Sequence, residues 1–319
     1  MKLYFAPMEG LTDALYRRVH HATFGGADKY FMPFISPAHS LHFTAREMFD
    51  LSPRENAGVP VVPQILAKDA AYFLGTVNML RDAGYTEVNL NIGCPSGTVT
   101  AKGKGAGMLK KPDELRFFLD EIFARSPLPI SVKTRIGFDF PEEWSALAEI
   151  FLQYPLLELI IHPRTCREFY SGQPHNELLT GFIARAPFPV IQNGNVFTPA
   201  DAHAIDTAYP ALTGLMMGRG WAVNPALGQE ILGGKKLTKD GLVLFHDRLY
   251  RAYTQHWPKS AAVGRMHGIM GYLGFCFADA GKQLRSLRKS TTPQEYSDAA
   301  ARLFDECDLV DTPVFLPPD

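Results

Sequence analysis

The sequence predicts an α/β protein: a (β/α)8 TIM barrel over residues 1–240, followed by a small all-helical domain over residues 241–319. Three observations carry that expectation. Eight short apolar runs recur along the first part of the chain at spacings of about 25 to 40 residues, the length of a strand–helix unit. The turn after the first run reads Pro7-Met8-Glu9-Gly10, not the glycine fingerprint that an open doubly wound sheet places there. Past residue 240 the alternation stops and the pattern becomes helical.

Leu3–Ala6 reads as the first strand, ended by Pro7, and Tyr30–Ile35 and Val61–Ile65 follow it. Glu87–Ile92 is the clearest: Val88, Leu90 and Ile92 alternate with Asn89 and Asn91 until Pro95, Ser96 and Gly97 stop the run. Lys102-Gly103-Lys104-Gly105-Ala106-Gly107 reads as a flexible, cationic loop ahead of a helix that starts near Pro112. Ile130–Thr134, Leu159–His162, Pro189–Gln192 and Leu215–Met217 complete the eight. In the last quarter, Leu242–His256, Val263–Ala278, Lys282–Lys289 and Pro293–Cys307 read as helices. Thr291 or Thr292 would cap the last of them, with Pro293 at its first position. The Pro-rich stretch 313–319 is expected to fray.

Hydrophobic content of 46% and charged content of 20% describe an ordinary globular chain. The first apolar run is too short for a signal peptide, and no stretch reaches the roughly 18 apolar residues of a membrane helix. Cys94, Cys166, Cys276 and Cys307 lie far apart, with no spacing that suggests a metal site or a disulfide framework. A monomer in a reducing cytoplasm, without metal, is the expectation. The net charge of −1 hides an uneven distribution. Residues 245–290 carry eight Lys/Arg against two Asp/Glu, whereas residues 291–319 carry one Arg against seven acids. A basic face for a polyanion is therefore available.

In a barrel of this kind the chemistry lies at the carboxyl ends of the strands. Those ends present Pro7-Met8-Glu9, Gln64, Asn91 with Cys94, Lys133 with Arg135, His162 with Arg164, Asn193-Gly194-Asn195 and Gly218-Arg219-Gly220. The last two groups have the make-up of a phosphate cradle, since glycine lets backbone N–H groups approach an anion and Arg219 adds a bidentate grip. Lys133 points into the mouth and requires an anionic partner. A reduced flavin is one candidate; a Schiff-base substrate is the other. Gln64 and Asn91 favour the flavin, because amides bond well to the edge of its ring. Cys94, on the loop after its strand, is placed to give a proton.

These residues resemble the tRNA-dihydrouridine synthase family. The likeness runs through Ala6-Pro7-Met8-Glu9-Gly10, Val62-Pro63-Gln64, Leu90-Asn91-Ile92-Gly93-Cys94-Pro95, Gly105-Ala106-Gly107-Met108-Leu109, Ser131-Val132-Lys133, His162-Pro163-Arg164-Thr165, Gln192-Asn193-Gly194-Asn195 and Met217-Gly218-Arg219-Gly220. It covers nearly the whole barrel and is weak in the helical part. Three positions depart from the pattern: Glu9 stands where alanine is frequent, Asn195 where an acid is common, and Pro163 where glycine follows the histidine.

The resemblance implies bound FMN, NADPH as reductant, and uridine in the D-arm of tRNA as substrate. Hydride would pass from the flavin to C6 of uracil and a proton from Cys94 to C5. Pro7, Met8, Glu9, Gln64, Asn91, Lys133, His162, Asn193, Gly194, Asn195, Gly218 and Arg219 would hold the cofactor. Asn91, Lys102, Lys104, Arg135, Arg164, Arg265, His267, Lys282, Arg285 and Arg288 would meet the tRNA. One rival reading is an FMN barrel enzyme for a free pyrimidine, of the dihydroorotate dehydrogenase type, which would not need the basic helices. The other is a non-catalytic RNA-binding protein that has kept the barrel, which the presence of Cys94, Lys133 and the phosphate cradle disfavours.

Overall fold

The computed structural model describes residues 1–37 and 42–315. Nine parallel strands form one sheet in the order β3-β2-β1-β9-β8-β7-β6-β5-β4. They are β1 (Lys2–Phe5), β2 (Lys29–Phe31), β3 (Val61–Val62), β4 (Gln64–Ile65), β5 (Val88–Ile92), β6 (Ile130–Gly137), β7 (Leu159–Thr165), β8 (Val190–Asn193) and β9 (Gly214–Met217). The two ends of that order, β3 and β4, are halves of one extended segment. Val61 and Val62 pair with Tyr30 and Phe31, while Gln64 and Ile65 pair with Asn89 and Leu90. Between them Pro63 lacks the N–H that a continuous ladder needs, yet its carbonyl still accepts from Asn89 N at 2.9 Å. The sheet thus closes into the expected eight-segment barrel.

Where boundaries differ from the sequence reading, the cause is local. The second segment is paired only through Phe31, with Ile35 returning as an isolated bridge to Ile65, since Pro33 interrupts it. Strands β6 and β7 run on to Gly137 and Thr165, and their register slips between Arg135 and Gly137. The stretch after Cys94 is not the flexible loop its composition suggested. Gly97–Thr100 is a helical turn and Gly105–Lys110 a 3-10 turn, with residues 105–109 buried. Gly105 takes φ +56°, and a Cβ there would stand 2.8 Å from the Cys94 carbonyl. The packing against Cys94 therefore demands glycine.

The helical region contains Lys239–His256, Lys259–Leu273, Gly281–Lys289 and Pro293–Glu306. Thr292 and Glu295 form a capping box at the start of the last. These helices do not stand apart from the barrel. Leu3, Phe5 and Leu15 share one buried apolar cluster with Leu242, Phe245, Leu249 and Met266. Asp13, which caps the helix Ala14–Thr23, accepts from Tyr253 Oη at 3.0 Å and Arg265 Nη1 at 2.7 Å. The segment after the last helix turns back on the fold, and of the stretch 313–319 expected to fray, Phe315 is packed against Phe197, Tyr272 and Phe275. Ala278 N donates to Asp308 O at 2.9 Å, Val310 N donates to Cys276 O at 2.8 Å, and Phe315 packs on the barrel rim; residues 316–319 lie outside the described residues. No described helix is long and apolar enough to cross a membrane.

Candidate active site

A cavity of about 540 Å³ opens at the carboxyl ends of the strands, within the range of cofactor sites. Its floor is a chain of amides. Asn89 Nδ2 donates to Ser131 Oγ at 2.8 Å, Gln64 Nε2 donates to Asn89 Oδ1 at 2.7 Å, and Asn91 Nδ2 donates to Gln64 Oε1 at 2.7 Å. Asn91 Oδ1 then accepts from the N–H groups of Gly93 and Cys94 at 3.1 and 3.0 Å. This turn fixes where the Cys94 side chain leaves the barrel. The Cys94 carbonyl accepts from Ala106 N at 3.0 Å, which pins the loop from its other side. Half-buried at the cavity wall, Cys94 has its thiol pushed above the ordinary range, chiefly by burial.

Facing it are Lys133 and Arg135 on β6, His162 on β7 and Arg219 after β9, all lining the cavity. Burial, reinforced by the like charge of Arg135, brings the Lys133 amine down to about 7. Lys133 has no carboxylate partner among the described residues. Arg135 is 1% exposed; it donates through Nε to Gly93 O at 3.0 Å and through Nη1 to Thr165 O at 2.7 Å. It therefore ties the Cys94 turn to β7. Arg164 is also buried, its Nε and Nη2 donating to the carbonyls of Ser171 and Gly172 at 2.9 and 2.6 Å. Its Nη1 stands 3.0 Å from His162 Nε2. A guanidinium only donates, so that nitrogen accepts and the ring proton sits on Nδ1. Burial and then the neighbouring cations Arg135, Lys133, Arg164 and Arg219 hold His162 neutral.

The proposed phosphate side is built by β8 and β9. Asn193 Nδ2 donates to Met216 O at 2.8 Å, fixing the turn that follows. Gly194 takes φ +128°, and a Cβ there would meet the His162 ring at 3.0 Å. Asn195 takes φ +49°, a region that asparagine and aspartate tolerate better than other side chains, so the amide is a compatible replacement for the common acid. Pro7, Met8 and Gly218 also line the cavity. Glu9 lies at its exposed edge, 3.6 Å from Arg46.

Of the residues expected to meet RNA, Lys102, Lys282, Arg285 and Arg288 are exposed. Lys104 is half-buried and donates to Ser36 Oγ at 2.8 Å. Arg164 and Arg265 are engaged inside the fold, Arg265 by Asp13 and by the Trp257 ring at 4.4 Å. His267 Nε2 lies 3.0 Å from Ser290 Oγ. Four aromatic residues escaped the sequence reading altogether: Tyr170, Phe197, Tyr272 and Phe315, all on the cavity wall. Tyr170 sits over Arg135 at 5.4 Å and Arg219 at 4.7 Å. Its only signal was an aromatic pair, Phe169-Tyr170, in the loop after a strand-end histidine.

The dihydrouridine synthase (Dus) family profile matches residues 4–269. A tRNA-dihydrouridine(16) synthase from Pseudomonas putida is 30% identical over 304 residues, covering 91% of this chain and 93% of that protein. One of the same name from Salmonella typhimurium is 27% identical over 309 residues, covering 94% and 98%. Among solved structures, a mutant of morphinone reductase in complex with tetrahydroNAD superposes with a TM-score of 0.53 at 11% identity, over 76% of this chain and 90% of that one. That likeness is one of fold.

Proposed function

The chain belongs to the dihydrouridine synthase family, and from that membership and the make-up of the barrel mouth we propose that it reduces the C5=C6 bond of a uridine in the D-arm of tRNA, with FMN as cofactor and NADPH as reductant. One observation carries the reading: a thiol kept protonated by burial opens into a cavity ringed by cations without carboxylate partners. Such a cavity suits an anionic cofactor, with Lys133 at its ring and Arg219 and the turns at Gly194 and Gly218 at its phosphate. FMN bound there would supply hydride at C6 of the uracil.

Cys94 gives its proton to C5 on the opposite face and is reprotonated from solvent. Asn91 positions that thiol, Lys133 steadies developing negative charge, and His162, neutral with its proton on Nδ1, donates one hydrogen bond into the site. Uracil must leave its stack to reach this depth, so the protein requires a grip outside the mouth. Lys282, Arg285 and Arg288 on the exposed face of Gly281–Lys289 provide it, together with Lys102 and Lys104 beside Cys94. The barrel, residues 1–240, is then the catalytic part and residues 241–319 the RNA-binding part of a cytoplasmic monomer. The relatives from P. putida and S. typhimurium are named for uridine 16, and we assign this chain the same position.

The test is a reconstitution. Purified protein should bind one FMN per chain and turn yellow, NADPH should bleach it, and unmodified tRNA should restore the colour with dihydrouridine appearing at position 16. A protein that ignores FMN sinks the reading. Restoration by orotate instead of tRNA would make it an enzyme of free pyrimidines.

A further inference from the structure

We propose that the segment after the last helix belongs to the cofactor site, with Phe315 holding Arg219 in the orientation that grips a phosphate monoester. The inference rests on the flavin reading above and adds to it a residue outside the barrel. Arg219 lines the cavity and is half-buried, yet it has no hydrogen bond or ion pair among the described residues. What surrounds it instead is aromatic. The guanidinium carbon lies 4.7 Å from the Tyr170 ring, 5.1 Å from Phe315 and 5.6 Å from Phe197. Rings attract a guanidinium through its faces. Ring contacts of this kind use no N–H donor, and with no hydrogen-bond acceptor on them among the described residues the N–H groups of Arg219 are available to an anion.

Phe315 is held in place by more than this one contact. The backbone bonds from Ala278 to Asp308 and from Val310 to Cys276 anchor the segment a few residues upstream. The Phe315 ring then meets Phe275 at 5.3 Å, Tyr272 at 5.8 Å and Phe197 at 6.3 Å, the last two stacked. Phe197 comes from the barrel, and Tyr272 and Phe275 from the helical region. The segment therefore bridges the two parts directly above Arg219. A long, flexible cation confined between rings loses less freedom when it binds, and rings that exclude water strengthen its attraction to the anion.

Comparing FMN with riboflavin tests this, because the two differ only in the phosphate. In the flavin-free protein, Phe315→Ala should weaken FMN binding about 3- to 30-fold, the range for a desolvated cation–aromatic contact, and leave riboflavin binding unchanged. Phe315→Tyr should restore it. Arg219→Met should abolish the preference for FMN, and adding Phe315→Ala to it should have no further effect. Equal weakening of both flavins, or additive effects of the two substitutions, would reduce Phe315 to a roof over the cavity. A wild-type protein that binds both flavins equally would remove the phosphate subsite, and one that binds neither would overturn the flavin reading itself.

Discussion

Burial raises the Cys94 thiol while the Ser96 backbone N–H, then Lys133 and Arg135, pull it back down, and burial prevails. The group therefore holds its proton at neutral pH, as a general acid must. Cys94→Ala should leave FMN binding and its reduction by NADPH intact but slow reoxidation by tRNA by about 10²–10⁴-fold; wild-type rates in single-turnover reoxidation would reduce this cysteine to packing. Lys133 yields a pH prediction. Its amine titrates near 10.5 in the unfolded chain and near 7 in the fold. Between those values the unfolded state binds more protons, so stability of the flavin-free protein should rise with pH, by up to about 1.4 kcal/mol per pH unit. That gain is lost progressively as pH falls from about 10.5 to about 7, and below 7 both states are protonated and the profile flattens. FMN, by stabilising the ammonium, should bind with proton uptake and more weakly as pH rises. Lys133→Met should flatten both profiles; matching slopes in the two proteins would show that another group titrates. Cys94 and Lys133 were legible because a strand end dictates which way its side chain faces. Arg164 was not, since nothing in the order His162-Pro163-Arg164 reveals that Ser171 and Gly172 will fold back to take its N–H groups.

At the scale of elements, Gly281–Lys289 is the place to test RNA binding. Lys282, Arg285 and Lys289 are exposed at helical spacing, and Arg288 lies beside them while Leu287 is buried. Changing Arg285 and Arg288 together to Ala should lower tRNA affinity and flatten its salt dependence by about one unit of log–log slope per lost phosphate contact. NADPH oxidation should be spared. An unchanged slope would mean that tRNA docks elsewhere and this face is merely solvated. The strands were readable from alternation and punctuation, and all eight segments are present. The loop after Cys94 was misread because glycine and lysine predict mobility only where nothing packs on them. Here Gly105 permits close approach to Cys94 and Ala106 bonds its carbonyl.

For the whole molecule, the shared apolar cluster makes barrel and helices fold as partners, with Asp13 as their polar link. Its carboxylate receives Tyr16 N, Tyr253 Oη and Arg265 Nη1. Arg265→Met should destabilise the protein by about 1–3 kcal/mol in urea unfolding, less than a fully buried pair broken on one side because two hydrogen bonds to Asp13 survive. It should leave the salt slope of tRNA binding unchanged, in contrast to the Arg285/Arg288 pair. A flattened slope would return Arg265 to the RNA-binding face.

The fold class, the succession of strands and the placement of Cys94, Lys133 and the glycine turns at the barrel mouth follow from the chain alone. Each rests on local chemistry: period-two alternation, a proline that stops a strand, a glycine where backbone must come close. Tertiary structure alone decided which cations are free. Arg164 and Arg265 look like Arg285 in sequence, yet partners from distant segments engage the first two. Only the return of the last segment brings Phe315 over Arg219. A charged side chain several bonds long takes its role from whatever the fold puts within its reach, and sequence spacing does not encode that.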